Sequence, residues 1–412
     1  MTQKKKPVLR FKGFTDDWEQ RKLGEMLEFR NGFNGSSEIY GGDTPLISVM
    51  DILNNNFITH DKILAHVCVD NNIKERFKIS YGDVLFQRSS ENYEDAGTSN
   101  VYIDRQNNAI FGGFVIAGKK LKEYDPICFK YLLDSKYVRN QIIRKAQGAQ
   151  HINVSQDTLQ NVAIYIPNME EQNKIGAYLH NIDHLITLHQ RKYEKLRNLK
   201  KFFLEKIFPQ NGKRVPEVRF AGFTGDWEQR KLGELAKETY GGGTPKTSIA
   251  EYWAGNIPWI QSADITEHDV NCVIPKKYIS KDAIRNSAAK LVPKDSIAIV
   301  TRVGVGKLAI MPFPYATSQD FLSLSNLKID IHFSAYLLYK KLQEDMNAVQ
   351  GTSIKGITKK ELLDKSVLIP TLIEQEKIGA YLSNIDHLIT LHQRKLEKLQ
   401  NLKKAALDKM FV

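Results

Sequence analysis

The sequence predicts an α+β protein that uses one plan twice: two mixed α/β domains, each followed by a long helix, with the two helices pairing as an antiparallel coiled coil. Three observations predict it. Long stretches of the 412-residue chain recur about 200 residues apart. Each copy ends in an uninterrupted helical pattern with apolar residues at alternating steps of three and four. The region before each helix holds short β-rich runs separated by glycine turns.

The repeat is plain to the eye. FKGFTDDWEQRKLGEM from Phe11 returns as FAGFTGDWEQRKLGEL from Phe220. EQNKIGAYLHNIDHLITLHQRKYEKLRNLKK from Glu171 returns as EQEKIGAYLSNIDHLITLHQRKLEKLQNLKK from Glu374. A period this long is a whole domain plus a helix, not a solenoid unit of roughly 20–50 residues. The ends of the copies nearly coincide while their middles diverge. Sparse echoes remain there: Gly41 to Pro45 answers Gly242 to Pro245, Gly82 to Arg88 answers Lys294 to Arg302, and Gly148-Ala149-Gln150 answers Gly351-Thr352-Ser353. Drift alone would not spare the ends and erase the centres. One scaffold with two differently written middles suggests two modules that read two different things.

In chain order, strands are expected around Asp83 to Phe86, Ala109 to Phe111 and Val162 to Ile166. Helix is expected from Pro126 to Lys145. The first long helix spans Glu170 to about Ile207, with a seam of Ile175, Leu179, Ile182, Ile186, Tyr193, Leu196, Phe203 and Ile207. His189 and Lys200 fill the polar seam positions. Pro209 to Arg214 reads as a linker. The second copy repeats the plan with a strand at Ser296 to Val300, a helix from Phe333 to Val349 and a strand at Ser366 to Ile369. Its seam is Ile378, Leu382, Ile385, Ile389, Leu396, Leu399 and Met410, with His392 and Lys403 at the polar sites. At 1.5 Å per residue each helix is roughly 50–55 Å long and needs a partner for its apolar stripe. The other helix is the obvious one. A neighbouring stripe of Leu185, Leu188, Leu199 and Phe202, matched by Leu388, Leu391, Leu402 and Ala405, either docks another subunit or packs under the chain's own domains.

The formal charge of +12 makes an anionic partner plausible. Cys68, Cys128 and Cys272 are too scattered for a zinc site or a disulfide framework, which fits a reducing cytosol. Lys4, Lys5 and Lys6 are not followed by an apolar run, so no signal peptide is expected, and no stretch reaches membrane-spanning length. His189 and His392 read as packing or register residues, not metal ligands. Gly304-Val305-Gly306-Lys307 lacks the phosphate-loop spacing, and no dinucleotide loop, nucleophile elbow or paired zinc-binding histidines are present. Chemistry, if there is any, must come from partners.

Polar loops in the divergent middles suit DNA. Arg pairs with guanine, Asn and Gln with adenine, while Lys, Ser and Thr reach phosphates. The candidates in the first half are Arg88, Ser89 and Ser90 after a strand, and Gln147, Gln150, His151 and Asn153 after a helix. Those in the second half are Thr244 and Lys246 beside the glycine turn, Arg302 and Lys307 after a strand, and Thr352, Ser353 and Lys355 after a helix.

These residues and the doubled layout together resemble the specificity subunit of type I restriction-modification systems over essentially the whole chain. The marks are Gly243-Thr244-Pro245 with Ile257-Pro258-Trp259-Ile260, the junction from Pro370 through Glu374-Gln375 to Lys377-Ile378-Gly379, and its match from Pro167 to Glu171-Gln172. The first half departs from the pattern, with Gly42-Asp43-Thr44-Pro45 and no Pro-Trp-Ile stretch. The resemblance implies target recognition domains at residues 1–168 and 209–370 and conserved spacer helices at 169–208 and 371–412. Each domain would read half of a bipartite site in double-stranded DNA, while the helices set the gap. Two methyltransferase subunits would dock on the helices, and two restriction subunits would join through them. S-adenosylmethionine, ATP and magnesium would be held by those partners in the cytoplasm, and this chain would be non-catalytic by itself. The rival readings are a two-domain protein-interaction scaffold with a coiled-coil spacer and a free-standing DNA enzyme.

Overall fold

The computed structural model describes residues 6–35, 40–106, 108–210, 212–348 and 356–411. The chain divides into two compact units: residues 1–190 with 395–412, and residues 191–394. Each unit therefore contains one mixed α/β half, part of its own long helix and part of the other copy's helix.

In the first unit a four-stranded antiparallel sheet runs Leu27–Asn31, Val115–Lys120, Val84–Gln87, Ser99–Val101. A three-stranded sheet places Tyr40–Ile47 between His66–Val67 and Ile110–Phe111. Glu19–Lys22 pairs with Ala163–Ile166, so the start of the domain is tied to its end. The expected helix from Pro126 to Lys145 is two helices, Pro126–Asp134 and Lys136–Lys145. Ser135 divides them because its backbone is extended and its side chain caps the second helix.

The second unit repeats these parts. Its four-stranded sheet runs Ala236–Gly241, Phe321–Leu327, Ser296–Val300, Leu308–Met311. Ile257–Ile260 lies between Lys277–Ile279 and Ala316–Thr317, and Glu228–Lys231 pairs with Ser366–Ile369. The expected helix near Phe333 is Ile331–Ala348.

The recurring sequence at the start of each long helix makes one joint, built twice. Arg10 clamps Glu171 through two bonds of 2.6 and 2.7 Å, and Arg219 clamps Glu374 through bonds of 2.7 and 2.8 Å. Both carboxylates are buried, so the fork-to-fork geometry compensates their desolvation. Gln172 donates to Pro167 O and accepts from Asp125 N; Gln375 does the same with Pro370 O and Asp330 N. Gly176 and Gly379 let the helix touch the capped N-terminus of the domain's own helix. A Cβ at Gly176 would lie 2.6 Å from Asp125 Oδ1, and one at Gly379 would lie 2.5 Å from Asp330 Oδ1.

The long helices are Met169–Lys206 and Leu372–Met410. In the first unit Ile175, Leu179 and Ile182 are buried in one core with Ala406, Met410 and Phe411, and Ile186 and Leu399 pack on its edge. In the second unit Ile378 and Leu382 share a core with Ile207 and Phe208, with Phe203 packed against it. Ile385 is also buried, while His189, Leu196, Ile389 and His392 are half-buried. Leu185, Leu188, Phe202, Leu388, Leu391 and Leu402 are exposed. Of the two readings of that stripe, packing under the chain's own domains is thereby removed for these six positions. Among the described residues no helix is long and apolar enough to cross a membrane.

Candidate nucleic-acid interface

In the first half, the buried strand Val84–Gln87 delivers the chain to Arg88. Ser89–Ser90 then pairs antiparallel with Ile152–Asn153. Gln147 and Asn153 exchange both backbone bonds, at 3.0 and 2.7 Å, and so close a loop over residues 148–152. Gly148 makes that loop possible: its φ is +131°, and a Cβ there would lie 1.9 Å from His151 O. Tyr93 braces it by donating to Gly148 O at 2.9 Å. Two separate candidate segments thus meet on one edge, bringing together Arg88, Ser89, Ser90, Gln147 and Asn153. Gln150 and His151 stand exposed on the loop.

Arg88 is held on three sides. Its N–H donates to Phe114 O, its carbonyl accepts from Val154 N, and Nη1 reaches Gly113 O at 3.4 Å. Ser90 is buried and its Oγ accepts from Asn92 N, so it supports the edge from beneath. Asn153 Nδ2 donates to His151 O and leaves its amide oxygen at the exposed face.

In the second half, Arg302 is exposed just beyond the buried strand Ser296–Val300. Thr301 fixes its base through Asp320 O, which accepts from both Thr301 N (2.7 Å) and Thr301 Oγ1 (3.0 Å). Ile357 N returns to Thr301 O at 2.8 Å, so the segment that follows the helix again meets the segment that follows the strand. Arg302, Lys307 and Gln319 line one cleft of about 950 Å³, with Tyr339 and Lys359 on its walls. Thr244 is adjacent, its hydroxyl donating to Gln319 Oε1 at 2.6 Å. Lys246 is exposed, and its carbonyl accepts from Trp253 Nε1. Thr352, Ser353 and Lys355 lie outside the described residues.

Backbone bonding corrects one equivalence read from the sequence. Val84 lies in the core against its own long helix, as Ile297 does in the second unit. Arg88 N donates to Phe114 O while Arg88 O accepts from Val154 N, as Thr301 N donates to Asp320 O while Thr301 O accepts from Ile357 N. Val84 therefore corresponds to Ile297, and Arg88 corresponds to Thr301. Arg302 falls on the position of Ser89. The two arginines occupy different places on a shared scaffold.

Sequence reasoning missed two buried polar groups on the long helices. Asp183 accepts from Tyr131 Oη at 2.6 Å and pairs with Lys403 Nζ at 2.7 Å. Asp386 accepts from Tyr336 Oη at 2.6 Å and pairs with Lys200 Nζ at 2.5 Å. Burial raises the Asp386 carboxyl above its ordinary pKa, against the pull of Lys200. Burial, and then the adjacent carboxylate, push both tyrosines well above the usual phenol range. The available signal was the lysine at a polar position of each seam, Lys200 and Lys403. Among the described residues no cluster of His, Cys, Asp and Glu suits a metal ion.

The family model of the type I restriction modification DNA specificity domain matches residues 15–198 and again 224–401. The chain belongs to that family. As a type I specificity subunit it carries two DNA specificity domains, and each matched stretch runs from one α/β half into the helix that follows. It is similar to the type I restriction enzyme MjaVIII specificity subunit of Methanocaldococcus jannaschii, at 22% identity over 415 residues, covering 95% of this chain and 92% of the relative. It is also similar to the MjaIX specificity subunit of the same organism, at 32% identity over 186 residues, 43% of this chain and 42% of the relative. The crystal structure of a type I restriction-modification S subunit from M. genitalium shares the fold of this specificity subunit, with a TM-score of 0.63 at 15% identity and 99% of both chains covered.

Proposed function

We propose that each half of this specificity subunit reads one half of a bipartite DNA site, and that the two long helices pair antiparallel as a coiled coil whose length sets the gap. The observation that carries this reading is the uneven repeat: two family matches with near-identical joints and differently built edges at Arg88 and Arg302. Support for the pairing comes from each unit separately. The start of the first helix shares a core with the end of the second, and the end of the first helix shares a core with the start of the second. The exposed stripe at Leu185, Leu188, Leu388 and Leu391 offers apolar surface for two methyltransferase subunits, which in turn bring two restriction subunits. S-adenosylmethionine, ATP and magnesium then belong to those partners, and the assembly works on cytoplasmic DNA.

The test is spacing. Inserting about seven residues after His189 and the same number after His392 keeps the seam in phase. Each helix lengthens by roughly 10 Å, close to three base-pair steps. The assembled methyltransferase should then prefer a longer gap between unchanged half-sites. DNA twists as it lengthens, so the new gap need not grow by three. An optimum that stays put in a complex that still binds would remove the spacing role.

A further inference from the structure

A seam of apolar residues at heptad spacing has a weakness: sliding one helix past the other by a heptad meets another apolar set. Gap length would then be poorly defined. The two polar nodes on the helices oppose that slide. Asp183 is 4% exposed and Asp386 is 3% exposed, so each needs its partners. Each carboxylate is held from two directions, by a tyrosine of the domain on one oxygen and by a lysine of the other copy's helix on the second oxygen. Lys200 is further fixed by donating to His268 O at 2.6 Å. The separation from Asp183 to Lys200 equals that from Asp386 to Lys403. In an antiparallel pair both nodes are therefore satisfied in one register, and a heptad slide breaks both together.

We propose that the Tyr131–Asp183–Lys403 and Tyr336–Asp386–Lys200 nodes are register locks, positioning groups that confine the helices to one alignment and so make the specificity subunit strict about gap length. The inference rests on the reading that the helices set the gap. Buried polar groups at seam positions specify register elsewhere among coiled coils, and the domain tyrosine adds something a plain coiled coil lacks. Each tyrosine ties the helix alignment to the α/β half that carries the DNA-facing edge.

The experiment uses the full chain assembled with its methyltransferase subunit and a series of duplexes differing only in gap length. The fourfold variant Asp183→Asn, Asp386→Asn, Lys200→Met, Lys403→Met keeps side-chain volume and an acceptor for each tyrosine, but removes the charges. It should still bind the best site, while the preference for that gap over its neighbours falls at least tenfold. The variant Lys200→Arg with Lys403→Arg keeps the charge and should keep a sharp profile. If the fourfold variant does not assemble, Lys200→Gln with Lys403→Gln is held to the same tenfold criterion. A profile as sharp as the parent's in the uncharged variant overturns the lock, as does an arginine variant as broad as the uncharged one. The doubled heptad insertion separates the two ideas. If it moves the optimum while the uncharged variant stays sharp, the spacing role stands and the lock falls. If it leaves the optimum in place, the spacing role itself falls.

Discussion

The two halves of the molecule are alike where they meet the helices and unlike where they face outward. At the joints even the hydrogen-bond partners repeat: Gln172 and Gln375 make the same bonds, and Gly176 and Gly379 allow the same close approach. At the outer edges Arg88 is half-buried and held by backbone atoms on three sides, while Arg302 is exposed and one scaffold position further along. The contrast teaches that buried, geometrically strict contacts fix the scaffold, and that the strand ends beyond it are free to carry different side chains.

The strongest way to sharpen this comparison is exchange. Replacing residues 220–370 by the equivalent segment of a related chain should change one half-site completely and leave the other intact, as read by methylome mapping. Loss of both half-sites would show that the halves are not independent. Next in size come the clamps. Glu171→Ala and Glu374→Ala each take the buried carboxylate from a half-buried arginine. Breaking a fully buried pair costs about 3–5 kcal/mol, and these losses should fall somewhat below that. The effect should be larger at Glu171, because Trp18 Nε1 also donates to it, whereas Arg219 keeps bonds to Gly225 O and Thr224 O. Denaturant unfolding of both variants measures the difference, and equal losses would contradict it.

A smaller effect should be the same on both sides. Gly176→Ala and Gly379→Ala each force a Cβ against a capped helix N-terminus, and overpacking of this kind costs about 1–3 kcal/mol. Unequal losses by the same assay would break the equivalence of the joints. Smallest in reach are Arg88→Ala and Arg302→Ala. Each should lose about 1–3 kcal/mol of discrimination at a single base position and leave the other half-site untouched. Titration against duplexes with single-base changes reads this directly, and an unchanged profile for both variants removes both arginines from the interface.

Much of the fold was legible because it is periodic. The seam from Ile175 to Ile207 and the near-verbatim repeat located the long helices and the joints, and the run Ser296 to Val300 was a strand as expected. The edges were less legible because β register is set by partners far away in sequence. Matching Arg88 to Arg302 by type ignored the backbone bonds to Phe114 and Val154, which match Arg88 with Thr301 in the shared plan. Asp183 and Asp386 were passed over for a similar reason. Their partners, Lys403 and Lys200, lie on the other copy's helix, far away in sequence.

The division of the chain also dictates an order of events during synthesis. The core around Trp18, Leu179 and Ile182 is completed by Ala406, Met410 and Phe411, and Leu9 N bonds to Lys409 O. The first unit therefore waits for residues 395–411, which are made after the whole of the second unit, and its contacts are among the most distant in sequence. Such contacts close slowly and expose apolar surface meanwhile. The second half, built from residues 191–394, holds its own core without that delay. A frameshift within the codons for residues 395–411 would accordingly injure the first half and spare the second.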